Sequence, residues 1–231
     1  VRNNFRLTSS KKPVTSSLKA PKALIFDMDG VLVDSEPLHK RAKELAFEEF
    51  GIQFPAATYD SYKGRPDATM FQEVLAGKSV AEIAEVLHRK HQIFEKIEHE
   101  LQPVPGAVDF VRWAAGRYRL GLATSATPRN RSAALRKLGI DGLFEAVVDT
   151  ARFQRPKPDP EIFLVAMREM ELSAEDCWII EDSLPGIRAA KAAGSVAIAL
   201  TTTFNGDALS AAGADVVVHS FRELRDWMES L

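Results

Sequence analysis

The chain has a single cysteine, Cys177, among its 231 residues, so no disulfide can close within it. That cysteine sits in the apolar stretch Cys177-Trp178-Ile179-Ile180, which reads as core packing in a reducing compartment, here the cytoplasm. No apolar run approaches the roughly 18 residues needed to cross a bilayer, so no membrane partner is expected. Excess charge of one sign is missing too. Thirty basic against 32 acidic residues leave a net charge of -2, which argues against a nucleic-acid partner. Residues 1–20 contain no acid, five basic residues (Arg2, Arg6, Lys11, Lys12, Lys19) and many Ser and Thr. Without hydrophobic periodicity they are expected to form a disordered basic tail. Their composition is shared by organelle transit peptides, but they lack the apolar core of about 7 to 15 residues that marks a secretory signal.

What remains is a chain with 45% hydrophobic residues, enough for one α/β domain carrying a smaller insertion. It is organised around Lys22-Ala-Leu-Ile-Phe-Asp27-Met-Asp29-Gly30. The apolar run Ala23 to Phe26 predicts a buried parallel strand that ends on two carboxylates and a glycine. On extended backbone Asp27 and Asp29 would point to one side, and Gly30 would let the chain turn away. Two acids facing one spot call for a cation between them. An oxygen-seeking divalent ion, most simply Mg²⁺, would meet that need and leave one carboxylate oxygen to attack phosphorus.

After this strand Leu38, Ala42, Leu45, Ala46 and Phe50 repeat at helical spacing, with Pro37 suited to a first helical position. Ser79-Val-Ala-Glu82 is a capping-box pattern that opens a long helix. No strand-like run interrupts residues 37–101, so 37–102 is expected to be an all-helical insertion. Pro103-Val-Pro105-Gly106 then returns the chain to the main domain, expected over 21–36 and 103–231. Apolar strands follow at Leu120–Ala123, Ala146–Val148, Cys177–Ile180, Val196–Leu200 and Val216–Val218. Alternating with helical stretches, they predict a doubly wound parallel sheet. Sites in such sheets lie beyond the carboxyl ends of the strands.

Three further strand ends carry polar residues. Thr124-Ser125 is followed by Thr127-Pro128, which has the form of an N-cap and first helical residue, so free backbone N–H groups suited to phosphate should lie there. A threonine in that position is ordinarily a turn or cap residue. Arg155-Pro-Lys157-Pro158-Asp159-Pro160 holds a lysine on a stiff turn before an expected helix start at Asp159-Pro160. Lysines are ordinarily solvated. Glu181-Asp182 ends a buried strand, which is costly unless a cation or hydrogen bonds compensate the pair. The plainer reading is that Glu181 caps the next helix.

Taken in order, Phe26-Asp27-Met28-Asp29-Gly30, Thr124, Lys157-Pro158 and Glu181-Asp182 resemble the four motifs of the haloacid dehalogenase superfamily. The resemblance implies a phosphoryl-transfer enzyme working on a small-molecule phosphate ester, with Mg²⁺ as cofactor. Asp27 would be the nucleophile and Asp29 the acid and base. Thr124 and Lys157 would hold the phosphoryl group, with Ser125 beside it. Asp27, the carbonyl of Asp29, Asp182 and Glu181, the last directly or through water, would bind the metal. The second acid, Asp29, favours phosphate esters over dehalogenation and phosphonate chemistry. The helical insertion resembles the family's cap, whose closure would exclude water.

In that cap His39 stands where β-phosphoglucomutases carry a histidine, Arg89-Lys90 resembles their basic pair, and Lys63-Gly64 their Lys-Gly turn. They also have an arginine four residues after that lysine, where this chain has Asp67. His39 also reads as an exposed polar position, and Lys90 as part of a solvated basic face. Arg65, on a turn, is the better candidate for a substrate phosphate. A phosphatase is therefore expected, with a sugar phosphomutase as the alternative and a non-catalytic binding protein behind both. A monomer is the default.

Overall fold

The computed structural model describes residues 18–54, 59, 62 and 67–231. Contacts divide the chain into two compact units, Val1–Val33 with Pro103–Leu231, and Asp34–Gln102.

The larger unit is built on a six-stranded sheet in the order β5-β4-β1-β6-β7-β8. Its strands are β1 (Ala23–Phe26), β4 (Arg119–Ala123), β5 (Ala146–Val148), β6 (Cys177–Glu181), β7 (Val196–Leu200) and β8 (Val216–Val218). Every pairing is parallel. The central strands are apolar without alternation because helices cover both faces, so every residue of β1 and β6 is buried. The chain lays down β4 and β5 on one side of β1, then returns to place β6, β7 and β8 on the other. This reversal opens a crevice beyond β1 at the carboxyl edge, where such sheets bind ligands. Register makes the crevice specific. Phe26 is level with Leu122 on β4 and Ile180 on β6, so the next residue, Asp27, emerges between those two strands.

Strand limits follow the apolar runs closely, while helix starts differ at two places. Helix α1 (Glu36–Glu49) begins one residue before Pro37. The helix after Lys157 runs Glu161–Glu169 with Pro160 as its N-cap, not its first residue. There the Asp159 carboxylate accepts from Glu161 N at 2.9 Å, so it caps from one position further out than expected. Thr127 is the N-cap of Pro128–Leu138, accepting from Asn130 N. Cys177 is buried on β6 and its thiol is pushed up to about 11 by burial, then by Asp176, which keeps it an unreactive core residue. At the start of the described chain, Lys19 and Lys22 both bond to Asp176.

The described elements of the smaller unit are helices α1, α2 (Asp67–Val74) and α3 (Val80–Ile97), with a short 3₁₀ turn. The capping box at Ser79 and Glu82 opens α3. Phe47 packs against Phe71 and Phe54, with ring centroids 5.0 and 5.2 Å apart. The two chain crossings, β2 (Val33–Asp34) and β3 (Gln102–Pro103), pair as a two-stranded ribbon. Among the described residues, no helix is long and apolar enough to cross a membrane.

Candidate active site

The site is assembled at the ends of β1, β4 and β6. β1 stops at Phe26, and Asp27 still pairs with β6 by donating its N–H to Ile180 O at 3.0 Å. Beyond it the backbone coils: Gly30 N bonds to Val33 O, and Leu32 and Val33 both bond to Met28 O. The extended geometry expected to align Asp27 with Asp29 therefore ends at Asp27. Asp27 is buried, while Asp29 is half-buried in the turn. Gly30 has φ +75°, and a Cβ there would collide with the Asp182 carboxylate. The turn thus requires glycine both for its backbone and for the close approach.

Lys157 reaches across to this point. Its Nζ donates at 2.6 Å to Asp27 Oδ1 and at 2.6 Å to Glu181 Oε1, and lies 4.9 Å from the Phe163 ring centroid. The lysine is therefore not a solvated surface charge. Burial alone would lower its pKa, but Asp27 and Glu181 outweigh burial and hold it well above its ordinary value. Glu181 is fully buried. Its Oε2 accepts from Asp182 N, Ser183 N and Ser183 Oγ, each at 2.9 Å. Helix Leu184–Ala192 is capped by Ser183, which accepts from Gly186 N. Glu181 lies directly over that helix, and a Cβ on Gly186 would occupy its carboxylate.

Asp27, Glu181 and Asp182 each offer an oxygen within 4.8 Å of the others, and all three are buried. Burial pushes the Asp27 carboxyl up to about 7 against the pull of Lys157, with Glu181 and Asp29 adding to the rise. Asp182 is also held well above the carboxylate range, by burial first and then by Glu181 and Asp27. With all three carboxylates ionised, the one ammonium would leave two negative charges uncompensated, which is why the cluster holds on to protons until a cation joins it. An all-oxygen donor set with that deficit fits Mg²⁺. The Asp29 carboxylate is not part of this cluster.

Thr124 is fully buried at the end of β4. Its Oγ1 accepts from Ala126 N at 3.0 Å, so the turn uses a lone pair and leaves the hydroxyl proton to donate. Ser125 beside it is exposed.

In the smaller unit His39 and Lys90 are in contact, with Lys90 Nζ donating to His39 Nδ1 at 3.0 Å. The imidazole stacks on Phe94 with centroids 4.2 Å apart. Burial, then Lys90, pushes its pKa down to about 3. An ammonium can only donate, so Nδ1 is the acceptor and Nε2 carries the proton. Lys90 is 2% exposed, which overturns its reading as a solvated face. The surface role falls to Arg89, paired with Glu49. Asp67 bridges two buried lysines, at 2.6 Å to Lys90 and 2.9 Å to Lys43. Lys63 and Arg65 lie outside the described residues.

Sequence reasoning missed Ser183, Gly186 and the pair Thr202 and Thr203. Thr202 donates to Gly30 O, and Thr203 donates to Asp182 Oδ2. The signal was available, since both threonines follow the carboxyl end of β7.

A parallel sheet with this carboxylate and lysine cluster at its reversal point defines a phosphoryl-transfer class of hydrolase. The family model of haloacid dehalogenase-like hydrolases matches residues 21–194, and the chain belongs to that family, whose members generally use Mg²⁺. It is 33% identical over 213 residues to the β-phosphoglucomutase of Bacillus subtilis, covering 88% of this chain and 91% of that protein. It is 31% identical over 204 residues to a phosphorylated carbohydrates phosphatase of Thermotoga maritima, covering 85% and 94%. Among solved structures, CbbY of Rhodobacter sphaeroides in complex with phosphate is similar, with TM-score 0.75 and 28% identity over 88% of this chain and 96% of that one.

Proposed function

We propose that this protein is a Mg²⁺-dependent phosphatase of small phosphomonoesters, sugar phosphates foremost, working through an aspartyl phosphate. The observation that carries the reading is Lys157 bonded to both Asp27 and Glu181 at the carboxyl edge of β1 and β6. A fixed ammonium beside a buried carboxylate is suited to a phosphoryl group arriving at that carboxylate. Mg²⁺ held by Asp27, Asp182 and Glu181 would supply the remaining positive charge that keeps Asp27 ionised and polarises the phosphoryl oxygens.

In the first step an Asp27 carboxylate oxygen bonds to phosphorus while the bond to the ester oxygen breaks. Asp29 gives its proton to that leaving oxygen. Lys157 and the hydroxyl proton of Thr124 balance charge on the phosphoryl oxygens. In the second step Asp29 takes a proton from water, the water oxygen bonds to phosphorus, and the bond to Asp27 breaks. Inorganic phosphate leaves and both aspartates return to their starting states.

The choice of acceptor rests on the smaller unit. Asp67 stands where the mutases carry an arginine and lies against both Lys43 and Lys90, so a carboxylate replaces a cation and leaves one net positive charge to meet a second phosphate group. That supports water as acceptor over a sugar phosphate. The contact between His39 and Lys90 favours the second reading, a β-phosphoglucomutase-type mutase.

³¹P NMR with Mg²⁺, β-glucose 1-phosphate and a trace of glucose 1,6-bisphosphate separates the two, followed by a panel of sugar monophosphates. Inorganic phosphate should accumulate, and Asp27→Asn should lower its rate by about 10³-fold or more. Growth of glucose 6-phosphate would establish the mutase. No turnover of any ester would sink both readings.

A further inference from the structure

The loop after β7, Thr201-Thr202-Thr203, belongs to none of the four stretches that identify the family, yet two of its hydroxyls donate into the site. Asp182 is 4% exposed, and among the described residues its carboxylate accepts a hydrogen bond from Thr203 alone, at Oδ2. The same oxygen lies against Gly30, where a Cβ would overlap it. Gly30 is in turn held by the bond from Thr202 to its carbonyl. Oδ2 therefore sits in a notch with Gly30 on one side and Thr203 on the other, and the β7 loop fixes both walls. A carboxylate gripped by one oxygen cannot rotate freely, and Asp182 has a carboxylate oxygen within 4.8 Å of those of Asp27 and Glu181.

We infer that Thr203 is a positioning residue for the metal ligand Asp182, presenting Oδ1 to a divalent cation and thereby setting the affinity of the site. The inference rests on the reading of Asp27, Glu181 and Asp182 as the Mg²⁺ site. Groups that orient a ligand from behind affect metal binding by about 10- to 100-fold when removed. Among the described residues Thr203 bonds to Asp182 and not to Asp27 or Lys157. Its loss should thus raise the Mg²⁺ concentration needed for half-maximal rate and leave kcat near wild type once Mg²⁺ saturates.

The test is Mn²⁺ binding to the full chain, followed by electron paramagnetic resonance of free Mn²⁺, for wild type, Thr203→Val, Thr203→Ala, Thr203→Ser and Asp182→Asn. Valine keeps the shape without the hydroxyl, alanine removes both, and serine keeps the hydroxyl. The expected result is a dissociation constant about 10- to 100-fold weaker for Val and Ala. Serine should stay within about threefold of wild type. Melting in EDTA should be alike for all three Thr203 variants, which separates a binding effect from unfolding. Equal Mn²⁺ affinity in wild type, Val and Ala would overturn the inference while leaving the metal site standing, provided Asp182→Asn binds weakly. Should Asp182→Asn match wild type, the assignment of the metal site fails, and the role of Thr203 fails with it.

Discussion

Lys157 is the residue on which the site's charge balance turns. Without it, Asp27, Glu181 and Asp182 would face one another with no internal cation. Lys157→Ala should therefore lower the unfolding free energy in EDTA by about 3 kcal/mol, the scale of breaking a buried ion pair. Added Mg²⁺ should restore part of the loss, because it replaces the missing positive charge. Urea titrations with and without Mg²⁺ measure this, and unchanged stability in EDTA would contradict it. His39 and Asp67 set an acid limit on the smaller unit. The folded His39 pKa lies near 3, driven down by burial and then Lys90, below its unfolded value of about 6.5. The unfolded chain then binds the extra proton, so stability falls as pH drops below about 6.5. Burial pushes the Asp67 carboxyl up, but Lys90 and Lys43 outweigh it and hold it well below the carboxylate range. Its contribution is full above an unfolded carboxylate's value of about 4 and is lost progressively below it. Protection factors of amides in α1 and α3, corrected for the intrinsic exchange rate at each pH, should fall from about pH 6.5 downward, and His39→Asn should flatten the upper part of that profile.

At the scale of elements, short caps and turns aim the backbone at the crevice. Thr127 caps helix Pro128–Leu138 by accepting from Asn130 N at 3.3 Å. Thr127→Ala should cost about 1 kcal/mol of stability, measured by thermal melting. Elements were the most legible part of the sequence. Uninterrupted apolar runs gave β1, β5, β7 and β8 their limits, because both faces of each strand are covered and the run ends where the backbone leaves the sheet. Capping residues marked α3 at Ser79 and the helix after Thr127. The start after Lys157 was misplaced because Asp-Pro carries two signals, a side-chain acceptor and a fixed φ. The pattern does not say which residue is the cap.

For the whole molecule, the parallel order of the sheet turns distant segments into one site. Asp27 and Lys157 are 130 positions apart yet bonded at 2.6 Å. The smaller unit enters and leaves through the paired strands β2 and β3, whose backbones in such a ribbon lie about 4.8 Å apart. A short Gly-rich turn replacing residues 35–101 should therefore leave the larger unit folded. That variant should bind Mn²⁺ within about threefold of the full chain, because the cluster lies wholly in the larger unit. Its kcat/KM for sugar phosphates should fall much further than its rate on p-nitrophenyl phosphate. Equal losses on both substrates would mean the smaller unit has no part in substrate choice.

The sequence alone determined the α/β alternation, the strands and the carboxylates, threonine and lysine at their ends, because burial and chain direction act locally and leave a local pattern. Only the tertiary structure decided which side chains meet. Thr203 lies 21 positions from Asp182 and comes from a strand with no charged residue at its end. Asp67, notable in the sequence only for standing where the mutases have an arginine, is the counter-ion of two buried lysines. Hydrogen bonds and ion pairs between segments depend on register and crossing, and no residue carries that information in its neighbours.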